Sequence, residues 1–155
     1  VPEPSEDEVI NATLREALSL LGMDMAFLGR YVYGYEEFRG LAGDAEQFGL
    51  SEGFRLPFTQ TLCRQMSMGR VPNIIPDVST ESALADLPLV KDGTIQSYAG
   101  VPVVAPDGTE YGALCCLSAQ PEPHLTEEHL RRLQELADAL GEHLSGHGPA
   151  EPKPD

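Results

Sequence analysis

Three kinds of side chain in this sequence are spaced in ways that invite chemistry: thiols, imidazoles and carboxylates. The thiols are Cys63, Cys115 and Cys116. Their number is odd, and none stands in a CxxC or Cys/His metal spacing. Cys115 and Cys116 are neighbours in an apolar run that reads as a strand, so their side chains point to opposite faces and a vicinal disulfide is not expected. Both read as packed, which leaves Cys63 as the candidate thiol nucleophile. A triad around it needs a base and an orienting acid, and no histidine has an evident route to it. Cys63 therefore reads as a buried small hydrophobe or a pocket-lining residue, with thiol chemistry as the alternative.

The imidazoles are His124, His129, His143 and His147. His143 and His147 share the i, i+4 spacing of a helical metal pair. The second falls in a Gly-rich tail beyond the expected helix end, so a solvated helix end is the favoured reading and no metal is expected. Among the carboxylates, Glu36 and Glu37 read as the solvated edge of a strand, because a tuned acid–base pair needs burial or close coupling. Asp77 follows the apolar pair Ile74-Ile75 at a strand end. An Asx-type turn over Ser79 and Thr80 is the favoured reading there, and a pocket-facing side chain is the other. Gly40 and Gly43 lack the Lys-Ser/Thr that would complete a phosphate loop. No catalytic set emerges.

These residues have to be held by elements that the periodicity outlines. Ser5 with Glu8 forms a capping-box pattern, and Val9, Ile10, Leu14, Ala17, Leu18 and Leu21 recur at helical spacing behind it. A helix from Glu6 to Leu21, ended by Gly22, is expected. Met25 to Tyr33 and Tyr35 to Ala42 read as an antiparallel hairpin about Gly34. Phe54 to Leu56 is a short extended piece. Thr59 to Met68 reads as a helix with Thr59 at its N-cap, Pro72 to Ile75 as a short strand, Ser79 to Leu87 as a helical turn, and Leu89 to Thr94 as a polar loop. Ser97 to Ser118 reads as a second hairpin about Pro106-Asp107-Gly108-Thr109. Its returning strand is apolar at almost every position near Ala113 to Leu117, so it should be central and covered on both faces. Thr126 opens a last helix with a narrow stripe of Leu130, Leu133, Ala137, Leu140 and Leu144.

The expected architecture is α/β (α+β): a central, mostly antiparallel sheet of five to six strands flanked by helices. The N- and C-terminal helices should pack together on one face, and their stripes should also pair with those of a second copy to make a homodimer. Residues 1–5 read as linker, 6–145 as one domain and 146–155 as a proline-rich tail. The chain opens on Val1 rather than Met, which suggests a piece of a longer protein. The net charge of −15 disfavours nucleic acid and anionic membranes as partners. No apolar run approaches the roughly 18 residues of a membrane span, no signal peptide is visible, and cysteine usage fits the cytoplasm.

The second hairpin carries a resemblance. Ser97-Tyr98-Ala99-Gly100-Val101-Pro102-Val103, then Asp107-Gly108-Thr109, then Tyr111-Gly112-Ala113-Leu114-Cys115 resembles the closing portion of a GAF domain. Upstream, Thr61-Leu62-Cys63 resembles the Ser-x-Cys helix of a bacterial subgroup of that family. Gly69-Arg70-x-Pro72 with Ile74-Ile75-x-Asp77 resembles its strand and Asp, and Leu87-Pro88-Leu89-Val90 its Pro-Leu-Val loop. The resemblance spans roughly residues 8–145. It implies a regulatory sensory domain that is not itself an enzyme. Such a domain binds an unknown small molecule, dimerises, or both, and so controls an attached effector such as a histidine kinase, a cyclic-dinucleotide enzyme or a transcription regulator.

The implied pocket residues are Phe58, Cys63, Ile75, Asp77, Leu89, Tyr98, Val101 and Cys115. The cofactor is unknown: no Cys-His pair stands where bilin-binding relatives attach chromophore, and no axial histidine for haem is evident. The family often has Asp at the position of Ser118 and Arg shortly after, where this chain has Gln120 and Pro121, so a polar contact at the strand end is expected to be lost. The alternative function is a thiol redox sensor, or an enzyme similar to the free methionine sulfoxide reductases that share the fold, although their cysteine arrangement is not evident. That alternative requires Cys63 to be exposed and acidic.

Overall fold

The computed structural model describes residues 3–144. Helix α1 (Glu6–Leu21) starts on the expected capping box: Ser5 Oγ accepts from the Glu8 amide at 3.1 Å, and the Ser5 amide donates to Glu8 Oε1 at 3.2 Å. Two N–H groups that a helix start leaves open are thereby satisfied. Gly22 ends the helix with φ 66°, the left-handed value that glycine adopts without strain.

Strands β1 (Met25–Val32) and β2 (Tyr35–Gly43) form the first hairpin. Its turn residues, Tyr33 and Gly34, both have positive φ, which matches the twist of the flanking strands. β3 (Arg55–Pro57) pairs with β2. Helix α2 (Leu62–Ser67) is shorter than the sequence suggests, and its cap is Thr61, not Thr59. Thr61 has the extended backbone an N-cap requires (φ −109°), and its Oγ1 accepts from the Arg64 amide at 3.3 Å. Thr59 is already committed to a preceding 3-10 turn, Phe58–Gln60.

β4 (Ile74–Ile75) is followed by two 3-10 turns, Val78–Thr80 and Ser82–Leu84. A one-turn helix, α3 (Pro88–Lys91), occupies the start of the expected polar loop, with Pro88 presetting φ at its first position. The second hairpin is β5 (Ser97–Val104) with β6 (Glu110–Ser118), and Ser97 pairs with Ser118 as expected. Helix α4 (Glu127–Gly141) closes the fold.

The six strands lie in the order β3-β2-β1-β6-β5-β4, with every neighbouring pair antiparallel. β6 is central, and eight of its nine residues are buried. Strand alternation then sorts the core into two halves. On one face Ala26, Leu28, Val101, Val103, Leu114 and Cys116 meet α1 and α4. On the other, Phe27, Tyr31, Tyr98, Ala113, Cys115 and Leu117 meet α2 and the connecting segments.

The two terminal helices share the first face, as expected. Gly141 lets α4 approach β5 closely: a Cβ there would stand 2.2 Å from the Val104 carbonyl oxygen. Leu133, Ala137, Leu140 and Leu144, most of the stripe on which pairing with a second copy rests, are buried within the chain itself. No helix among the described residues is long and apolar enough to cross a membrane. The expected tail, 146–155, lies outside the described residues, and His147 with it.

Candidate functional site

A break in strand pairing determines what faces the second half of the core. Along β1 and β2, Leu28 pairs with Gly40 but Gly29 pairs with Phe38, so Arg39 is the extra residue of a bulge. Beyond the bulge Gly40 and Ala42 face the helices, with Gly40 against Ile10. Before it, the parity is reversed: Phe38 and Glu36 face the other way, into the half-core that holds α2. Glu36, expected on a solvated edge, is instead completely buried. Its carboxyl lies over Gly29, where an added Cβ would meet Glu36 Oε2 at 2.0 Å.

Glu36 borders a cavity of about 30 Å³. Phe27, Phe38, Leu56, Leu62, Ile95 and Leu117 make its wall largely apolar, and Thr61, Cys63 and Tyr98 add polar atoms. Neither carboxyl oxygen of Glu36 has a hydrogen-bond partner within the chain. Burial lifts its pKa to about 7, while the nearby side chains of Cys63 and Thr61 pull it partly back without meeting hydrogen-bond geometry. At neutral pH the group is thus divided between acid and carboxylate, in a position closed to bulk solvent.

One thiol, Cys63, stands next to this carboxyl, with a second behind it. Cys63 Sγ lies 2.6 Å from Cys115 Sγ, and the Tyr98 hydroxyl is 3.4 Å from the Cys115 sulfur. Burial pushes both Cys63 and Tyr98 well above their ordinary pKa, and the Cys115 sulfur beside each adds to it. Cys63 is 2% exposed. The exposed, acidic Cys63 that the thiol-enzyme alternative requires is therefore absent. Cys116, on the opposite face, is also raised by burial. Tyr31 anchors α2 from below: its hydroxyl donates to the Cys63 carbonyl at 3.2 Å and lies 2.5 Å from Ser67 Oγ. Within α2, the Arg64 guanidinium sits 4.7 Å from the Phe58 ring centre.

Of the residues that the resemblance implies, Cys63, Leu89 and Tyr98 line the cavity. Phe58, Ile75 and Cys115 belong to the same half-core without lining it. Two do not join them. Val101 is three residues from Tyr98 along one strand, so alternation turns it to the helix face. Asp77 is engaged locally: its Oδ1 accepts from the Ser79 amide at 3.0 Å and from Ser79 Oγ at 2.7 Å, which lowers its pKa. That is the Asx-type turn, away from the cavity wall. The site residue that the sequence reading passes over is Glu36. Its i, i+2 spacing from Phe38 was the available signal, since two alternate positions of one strand share a face.

The polar contact at the end of β6 is rebuilt rather than lost. Ser118 Oγ donates to Glu122 Oε2 at 2.7 Å and accepts from the Asp24 amide at 3.1 Å. Two histidines serve as structural caps. His124 Nε2 lies 2.6 Å from the Leu21 carbonyl at the end of α1, and His129 Nδ1 accepts from the Thr126 amide at the start of α4. The described residues contain no group of three or more His, Cys, Asp or Glu arranged to hold a metal ion.

Comparison with known families and structures agrees with this fold. The family model described as GAF domain matches residues 3–145. No curated protein matches the chain. The GAF domain of an Acinetobacter phosphoenolpyruvate-protein phosphotransferase superposes with TM-score 0.68 at 15% identity, covering 88% of this chain and 80% of that one. The GAF-B domain of DevS from Mycobacterium smegmatis gives 0.65 at 21% identity over 88% and 90%. The PixJ GAF domain from Thermosynechococcus elongatus, in its blue-light absorbing form, gives 0.68 at 16% over 88% and 82%.

Proposed function

The chain belongs to the GAF domain family, and from that premise we propose that it is a non-catalytic sensory domain whose ligand enters the cavity at Glu36 and donates a hydrogen bond to it. The observation that carries this reading is the pair of unpartnered Glu36 oxygens in a completely buried position. An unsatisfied buried polar group costs about 1–3 kcal/mol, and a ligand with an N–H or O–H group relieves that cost. The favoured class is a small nitrogen base or amide, because its donor also suits a carboxyl that is half ionised near pH 7. Structural relatives come from a phosphotransferase, the blue-light absorbing PixJ GAF domain and DevS, which supports a sensory role within larger proteins of different kinds.

A cavity of about 30 Å³ holds little more than a water or two. A larger ligand therefore has to displace the short elements that cover it, α2 and α3, and binding becomes a choice between a closed and an open arrangement. Such a shift passes to an attached effector through α1 and α4. In the homodimer that forms part of this reading, the contact is the outer rim of those helices, where Leu20 and Leu136 stay partly exposed. A cytoplasmic setting and no nucleic-acid partner complete it, in keeping with the net charge of −15.

The test is thermal unfolding of the wild type and of Glu36→Gln against a panel of small amines, amidines, amides and nitrogen heterocycles. A binder raises Tm in the wild type and loses most of its effect in Glu36→Gln. A panel without any shift, or shifts equal in both proteins, would remove Glu36 as the ligand anchor and favour a purely structural module.

A further inference from the structure

The two sulfurs on the cavity side of β6 have no part in the ligand reading, and their separation asks for an explanation. At 2.6 Å they are roughly 0.5 Å beyond the length of a disulfide, ~2.05 Å. Both cysteines are buried and free, and they bring together α2 and the central strand from positions 52 residues apart. Only Cys63 of the pair lines the cavity; Cys115 lies behind it. We propose that Cys63 and Cys115 are a reversible redox pair that closes to a disulfide when a small peroxide reaches the cavity. This inference stands apart from the ligand reading, since it needs neither an organic ligand nor an open form of the domain, and from the thiol alternative drawn from the sequence, since it starts from a buried Cys63 held in the thiol form and not from an exposed, acidic one.

The order of events follows from access. A cavity of this size admits hydrogen peroxide, and Cys63 is the sulfur it meets. Burial keeps Cys63 in the thiol form, so its proton must leave as the new bond forms, and the Glu36 carboxylate is the acceptor beside it. Cys63 Sγ attacks one peroxide oxygen, its proton passes to Glu36, and the O–O bond breaks. The departing hydroxide takes that proton and leaves as water, and Cys63 becomes a sulfenic acid. Cys115 Sγ then attacks the Cys63 sulfur, the S–O bond breaks, and hydroxide leaves as water with the Cys115 proton. In balance, two thiols and one peroxide give one disulfide and two waters, the sulfurs losing the two electrons that the O–O bond gains. A dithiol reductant reverses the change. Because burial holds the attacking Cys63 in its thiol form, the pair responds to sustained oxidant and is no rapid scavenger.

Cys116 supplies the internal control. It is the sequence neighbour of Cys115 but faces α1 and α4, out of reach of both the cavity and Cys63. The experiment treats the reduced wild-type chain with millimolar hydrogen peroxide, blocks remaining thiols under denaturing conditions with iodoacetamide, and maps the peptides by mass. The expected product is a Cys63–Cys115 cross-linked peptide with Cys116 alkylated, reversed by dithiothreitol. The bond should raise Tm by roughly 5–10 °C, since it closes a long loop. In Cys115→Ser, dimedone should trap a sulfenic acid on Cys63, and Cys116→Ser should leave cross-linking unchanged. Three alkylated cysteines after peroxide, or a cross-link that includes Cys116, overturns the proposal in the wild type alone, whatever the variants do.

Discussion

The carboxyl of Glu36 occupies the space where a side chain at Gly29 would be, with Oε2 only 2.0 Å from the Cβ position. One residue has no side chain so that the other can be buried. Gly29→Ala must therefore push a completely buried carboxyl against Cys63 and Thr61, at a cost of about 1–3 kcal/mol. The cost belongs to the contact and not to the backbone, because Gly29 is not among the positive-φ glycines. In a Glu36→Ala background the same change should cost far less. Urea unfolding of the four proteins in a double-mutant cycle measures the difference, and an additive result removes the contact from the account.

The burial of Glu36 also sets a pH dependence. Its pKa is about 7 in the fold against an ordinary 4.5, so between those values the folded state holds more protons than the unfolded state. Stability contributed at this site then falls as pH rises through that window, and the penalty is complete above about 7. Below 4.5 the carboxyl is protonated in both states and the penalty vanishes. Glu36→Gln, which cannot ionise, should match the wild type in acid and exceed it by about 3 kcal/mol near pH ~8. Denaturant curves of both proteins across this range give the difference directly; a constant difference would place the ionised carboxylate in a solvated setting.

Elements with a strong local signal were readable from the chain alone. Ser5, Glu8 and Gly22 announce both ends of α1, and the apolar run through Leu117 marks β6 as central. The cap of α2 was not, because Thr59 and Thr61 are chemically the same; only the tertiary path decides which one is extended. The candidate site was legible in part. Cys63 and Tyr98 were found through motif resemblance, yet strand parity already separates Tyr98 from Val101. Glu36 was hidden for a different reason. A bulge at Arg39 reverses the faces of β2 midway, so the residues on either side of it follow no single alternation. A buried carboxylate also runs against the ordinary expectation that Glu stays in water.

At the exit of β6, Ser118 links two elements far apart in sequence. Its hydroxyl accepts from the Asp24 amide and donates to Glu122, and it is fully buried. Ser118→Ala leaves the Glu122 oxygen with Gln120 as its side-chain donor and removes one acceptor from the Asp24 amide, which still donates to the Leu117 carbonyl. A loss of about 1–3 kcal/mol is expected by chemical denaturation. An aspartate at this position should do worse than alanine, because it places a second carboxylate against Glu122. If Ser118→Asp is the more stable of the two, repulsion by Glu122 does not govern this position.

Tyr31 ties α2 to the sheet, and that tie should govern how readily the cavity opens. Its hydroxyl donates to the Cys63 carbonyl and contacts Ser67 Oγ, so both ends of a six-residue helix hang on one side chain. So short a helix has little stability of its own and depends on such tertiary contacts. Tyr31→Phe keeps the ring and its edge contact with Phe58 but removes both bonds. Global stability should fall by about 1 kcal/mol. The local effect is the sharper one: amides of residues 62–67 should exchange with solvent about 10-fold faster or more, while those of β1 and β6 change only in line with global stability. Hydrogen exchange read by mass spectrometry separates the two. Equal acceleration in α2 and in the central strands would mean that α2 opens only with the whole domain, and that the cavity has no cover that moves by itself.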